Sequence, residues 1–128
     1  MSVVDSSGWV EYLSDSGNAD SFAEQLEKIE ELVVPTIVIV EVRRWIMAHG
    51  HSSELDQATA LMTRARVVNL DSTLAQLAST LGIRHRLPLA HSIVYATAQS
   101  LGLELWTQDK DFDGLPGVRY VDRLSAAN

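Results

Sequence analysis

Short apolar segments alternating with helix-spaced segments predict an α/β fold, a parallel sheet covered by helices on both faces. Three observations carry this expectation. Segments rich in β-branched residues (SVVD, LVV, RVVNL, LELWT) are each separated by one or two helical patterns. Proline, glycine and capping residues fall at the element boundaries. No internal repeat or linker-like stretch interrupts the pattern, so residues 1–128 read as a single domain.

Taken in order, 2–5 is a short buried strand ending in an acid, after which Ser6 or Ser7 caps a helix bearing Trp9, Val10 and Leu13. Phe22, Leu26 and Ile29 have helical spacing in a second helix. A second strand covers 32–34; Pro35-Thr36 opens a helix that runs to His49 and ends at Gly50. Leu55, Ala58 and Met62 mark another helix, and 66–70 a third strand. Asp71 or Ser72 caps a helix carrying Leu74, Leu77, Ala78 and Leu81. Pro88 stands at a helix start, where its missing N–H costs nothing; Leu89, Ile93, Val94 and Ala98 follow, and Gly102 ends that helix. The fourth strand is 103–107, and 118–121 a short fifth after the Asp113-Gly114 and Pro116-Gly117 turns. In parallel sheets ligands bind beyond the carboxyl ends of the strands, where Asp5 and Asp109 fall.

Composition removes several function classes. There is no cysteine, which excludes disulfide frameworks, cysteine nucleophiles and cysteine-based metal sites. The longest apolar stretch, 33–40, is far short of a membrane span and stops at Glu41. Asp5 near the start, with no basic region before an apolar run, is unlike a secretory signal, so a soluble, cytoplasmic protein without membrane association is expected. The formal charge of −7 argues against a protein that coats nucleic acid and disfavours a single-stranded nucleic-acid binder. It does not argue against an acidic pocket whose metal ions meet phosphate.

The acids are the informative residues. Glu41 has apolar Ile37 and Trp45 as its helical neighbours, and a carboxylate on an apolar face must be paired, protonated or metal-bound. Its ordinary reading is a bend toward solvent or pairing with Arg43 or Arg44. Asp5 reads as an N-cap or, with Ser6 and Ser7 able to cap, as an acid free for another role. Asp109, Asp111 and Asp113 form an acidic turn that imitates the start of an EF-hand loop; its last ligand position, which needs a bidentate Glu, falls on Tyr120. Of the histidines, His49 and His51 straddle Gly50 in a surface turn, while His91 has Leu87, Val94 and Tyr95 as helical neighbours and faces inward. There is no HExxH pair, no GxxxxGK[ST] loop and no GxSxG elbow. Arg84, His85 and Arg86 are the densest basic cluster, read either as a phosphate contact or as ordinary surface charge.

Taken together, the strand end VVDSSGW, the helix IVIVEV, the helix LPLAHSIVYATA and the strand-turn LWTQDKDF, in that order, are specific. This set resembles the PIN domain, most closely the VapC-type ribonuclease toxins of toxin–antitoxin pairs, over nearly the whole chain. The resemblance implies a three-layer α/β/α sandwich with a mostly parallel sheet and a pocket of acids holding Mg²⁺ or Mn²⁺. Asp5 matches the first acid, Glu41 the second and Asp109 the fourth, with Asp111 assisting as a further metal ligand. Ser6 and Thr107 match small polar residues that support the acids. Where the family has its third acid, after LPLA, this chain has His91, one base change away from Asp. His91 is then either an unusual ligand or an impairing replacement.

The resemblance implies a metal-dependent endoribonuclease, with Asp5, Glu41, Asp109 and His91 as the catalytic set, in which bound ions activate water and stabilise the leaving oxygen. Replacing a carboxylate by imidazole is expected to weaken Mg²⁺ and to favour Mn²⁺ or transition metals; a protonated imidazole is expected to oppose metal binding. Arg84, Arg86 and Lys110 are candidate RNA contacts. A VapB-type antitoxin and a second copy of the chain, as a homodimer, are the implied partners. The alternative is a catalytically silent PIN-fold module that captures the antitoxin.

Overall fold

The computed structural model describes residues 1–50 and 52–123. Strands β1 (Ser2–Val4), β2 (Leu32–Pro35), β3 (Arg66–Val68), β4 (Glu104–Thr107) and β5 (Val118–Tyr120) form a sheet in the order β3-β2-β1-β4-β5. Every pairing is parallel, where a mostly parallel sheet was expected. Val3 lies opposite Val33 on one side and Leu105 on the other. β1 and β2 are buried throughout, which is why they read as continuous apolar runs rather than alternating ones.

The helices are α1 (Ser6–Leu13), α2 (Ala19–Glu27), α3 (Thr36–Ala48), α4 (Ser52–Arg64), α5 (Ser72–His85) and α6 (Leu89–Leu101). The chain moves outward from β1 to β3, then crosses back to β4. Right-handed crossovers therefore set α1–α4 on one face and α5–α6 on the other, giving the three layers. The contacts agree: α1 packs on α2 and α3, α3 on α4, and α5 on α6. The core joins Val3, Val4, Val33, Val34 and Leu105 of the sheet to Trp9, Phe22, Leu26 and Tyr95 of the helices. Each such burial contributes about 1.5–3 kcal/mol.

Several expectations are corrected. Ile29 lies in a 3-10 turn (Ile29–Glu31) after α2, because Lys28 leaves the helical region at ψ 61°. β3 ends at Val68, two residues early, and β4 starts at Glu104. Asp5, not Ser6 or Ser7, caps α1: its backbone is extended (φ −75°, ψ 176°) and its side chain accepts from the Gly8 N–H. Gly8 is required there by close approach, since a Cβ would lie 2.6 Å from Val4 Cγ1 and 2.9 Å from Phe22 Cδ1.

Candidate metal centre

The acids gather at the carboxyl edge of the sheet between β1 and β4, where the strand order reverses direction. Asp5 leaves β1 into this crevice, with its backbone N–H bonded to Trp106 O of β4. It is only 2% exposed. Oδ1 accepts from Gly8 N at 3.1 Å and Ser7 Oγ at 2.7 Å, and Oδ2 accepts from Thr107 Oγ1 at 2.7 Å. Burial raises its pKa from 3.8 to about 6; the hydrogen bonds from Ser7, Thr107 and Gly8 lower it in part, and the nearby Asp109 charge raises it further.

Glu41 projects from α3 and is half-buried. Desolvation raises its pKa, opposed by a hydrogen bond from Ser6 and by the charge of His91, while Asp109 raises it further. Arg44 acts on it electrostatically; Arg43 turns away to hydrogen-bond Thr59 of α4. Ser6, freed from capping, thus serves Glu41.

Asp109 follows β4. Its Oδ1 accepts from Asp111 N at 3.0 Å, starting a 3-10 turn over Lys110–Phe112. Its own N–H donates to Thr107 Oγ1 at 2.9 Å, so the Thr107 hydroxyl joins Asp5 to Asp109. His91 stands in the first turn of α6 and faces inward, its side chain 19% exposed. Its Nε2 lies 3.2 Å from Asp109 Oδ2 and its Nδ1 3.1 Å from Asp111 Oδ2. The ring rests on Phe112, centroids 4.8 Å apart. Donor atoms of His91, Asp109 and Asp111 lie within 4.8 Å of one another, close enough to share one cation. Asp5 feels the charge of Asp109, and Glu41 that of Asp109 and His91.

The arrangement is held by Gln108, Glu11 and Asn18, which the sequence did not single out, and by Ser7, read there only as a helix cap. Ser7 Oγ, besides donating to Asp5, accepts from Gln108 N. The Gln108 side chain, 2% exposed, donates to Glu11 Oε1 and accepts from Asn18 Nδ2. Asn18 also donates through its backbone to Glu11 Oε2 and through Nδ2 to Asp122 O. The one signal available in the sequence was an uncharged amide between Thr107 and Asp109.

The basic candidates are exposed: Lys110 in the turn between Asp109 and Asp111, Arg84 in the last turn of α5, and Arg86 closing α5 in the left-handed region at φ 55°. His49 stacks on Trp45, centroids 4.3 Å apart, in the surface turn expected of it; His51 lies outside the described residues. A cleft of about 430 Å³ lined by Leu13, Trp45, Ile46 and Leu61 lies elsewhere, between α1, α3 and α4. Among the described residues, no helix is long and apolar enough to cross a membrane.

Comparison with known proteins agrees with this architecture. The fold is similar to a toxin–antitoxin complex component from Klebsiella pneumoniae, at 22% identity and a TM-score of 0.82, covering 96% of this chain and 100% of that one. It is similar to Mycobacterium tuberculosis VapC20, described as a sarcin–ricin loop cleaving toxin, at 16% identity and a TM-score of 0.73, covering 96% and 100%. It is also similar to DNA-bound VapBC from Salmonella typhimurium, at 16% identity and a TM-score of 0.66, covering 94% and 96%. Among curated protein sequences none matches. The PIN domain family matches residues 2–118, nearly the whole described chain, and the protein belongs to that family.

Proposed function

We propose that the protein is a metal-dependent endoribonuclease of the VapC type, acting as the toxin of a toxin–antitoxin pair. The observation that carries the reading is the convergence of His91, Asp109 and Asp111 donor atoms, backed by Asp5 and Glu41, at the ligand-binding edge of a PIN-family sheet. The donor set fits a divalent cation: carboxylates converge at an open edge, and desolvation of Asp5 and Glu41 makes added positive charge favourable. A bound divalent ion supplies activated water and charge stabilisation for phosphodiester hydrolysis.

The protein's own groups divide the remaining work. Asp109 and Glu41 hold the cation, with His91 at the rim. Asp5 fixes the end of β1 against Thr107 and contributes charge from behind. Lys110, Arg84 and Arg86 are available to RNA phosphates at the surface. The toxin–antitoxin assemblies among the structural neighbours support a VapB-type antitoxin partner; a homodimer and a cytoplasmic location complete the proposal.

A second reading, the silent antitoxin-capturing module, is favoured by one observation. Both ring nitrogens of His91 face carboxylates, so the imidazole already engages the two acids that a cation would take. Cleavage of a labelled structured RNA in Mg²⁺ and in Mn²⁺, with EDTA as control, separates the two. The nuclease reading expects EDTA-sensitive cleavage by this protein that Asp109→Asn abolishes. Cleavage by His91→Asp alone would leave this chain as the silent module.

A further inference from the structure

The ring of His91 is enclosed by the groups that would hold the metal. Asp109 Oδ2 and Asp111 Oδ2 each lie within 3.2 Å of a different ring nitrogen. An ion taking either oxygen therefore meets imidazole. Phe112 lies against the ring, and the side chain is largely buried, so swinging it out to leave an all-oxygen site is opposed by packing. Mg²⁺ prefers oxygen ligands in near-ideal octahedral geometry, whereas imidazole suits Zn²⁺ and its neighbours. The donor chemistry here disagrees with a Mg²⁺ centre.

The two nitrogens are not equivalent. Asp109, beside Nε2, is the more enclosed carboxylate, its side chain 28% exposed against 49% for Asp111. Asp109 is also the one whose charge reaches both Asp5 and Glu41. Nε2 thus points into the pocket and Nδ1 toward the rim. A metal-ligating histidine commonly donates its other N–H to a carboxylate, which fixes the tautomer and strengthens the ligand.

We propose that this pocket binds a borderline transition-metal ion of the Zn²⁺ and Co²⁺ class in preference to Mg²⁺, through His91 Nε2 and Asp109, with Asp111 as a positioning residue that holds His91 through Nδ1. This rests on reading the pocket as a metal centre, and it reassigns Asp111 from ligand to support.

The test is calorimetric titration of the apo-protein with Zn²⁺ and with Mg²⁺, together with the visible absorption of added Co²⁺ and the ¹⁵N resonances of His91. The proposal expects His91→Asp to lower the Zn²⁺-to-Mg²⁺ affinity ratio at least about tenfold and to change the Co²⁺ spectrum. It expects Zn²⁺ to shift the Nε2 resonance while Nδ1 stays protonated. Asp111→Asn, which keeps an oxygen to accept from Nδ1–H, should bind Zn²⁺ within a few-fold of the parent, and Asp111→Ala about tenfold more weakly. An affinity ratio unchanged in His91→Asp, or a Zn²⁺-induced shift at Nδ1 in place of Nε2, overturns it. RNA cleavage measured in parallel keeps the two readings apart. His91-dependent Zn²⁺ binding without cleavage upholds this inference and removes the nuclease. Mg²⁺-dependent cleavage with an unchanged ratio does the reverse.

Discussion

The inner wall of the pocket and its outer rim treat carboxylates in opposite ways. At the inner wall, Asp5 is enclosed and both its oxygens are occupied by Gly8, Ser7 and Thr107. Behind it Gln108, Glu11 and Asn18 satisfy one another in a connected network. At the rim, Asp109 and Asp111 are more open and share only the two nitrogens of one imidazole between their Oδ2 atoms. A fully satisfied buried network is rigid, and it is costly to disturb; a partly satisfied open cluster can exchange its partner for a cation. The wall places the acids and the rim offers them.

The largest expected effect lies at the wall. Asp5 binds its proton more tightly folded than unfolded, so its contribution to stability is full below 3.8 and is lost as pH rises through about 6. A shift of this size corresponds to about 3 kcal/mol. In metal-free buffer, Asp5→Asn should therefore be more stable than the parent in urea melts at pH 7.5 by up to that amount. The advantage should vanish near pH 3.8; equal stability at both pH values removes the case for an Asp5 pKa raised by burial.

At the rim, Asp109→Asn should leave the melting curve nearly unchanged but weaken cation binding by about 100-fold or more, read by calorimetry. A large loss of stability with intact binding would invert the comparison. Gly8→Ala drives a Cβ against Val4 and Phe22 and should cost about 1–3 kcal/mol in the same melts. Gln108→Leu strips partners from buried Asn18 and partly buried Glu11 and should cost about 1–2 kcal/mol. It should also weaken cation binding about tenfold by loosening Thr107 and Asp109. Smallest is the exposed Lys28–Glu24 pair, where Lys28→Ala should change stability by less than about 0.5 kcal/mol.

Much of the fold was legible because it is local. Valine runs marked the central strands, Asp71, one of the two caps expected, caps α5 by accepting from Leu74 N at 2.8 Å, and Gly102 closes α6 at φ 66°. Residue spacing also placed His91 facing inward. The cap of α1 was not legible, because Asp5, Ser6 and Ser7 are all good caps and backbone geometry alone chooses among them. Ile29 fits the helical period of Phe22 and Leu26, yet the chain turns before reaching it. The Ser7–Gln108–Glu11–Asn18 network escaped notice because its links join residues up to 101 positions apart, and isolated polar residues carry no periodic signal.

The place of β1 has a consequence for synthesis. The sheet's middle strand is made first, but its partner β4 begins at Glu104, and the Thr107–Asp5 bond spans 102 positions. A growing chain can form β1, β2 and β3 in succession, yet Asp5 has no Thr107, and the pocket no Asp109, until most of the protein has been translated. The site at this edge is therefore completed only after the last strands emerge, by topology alone.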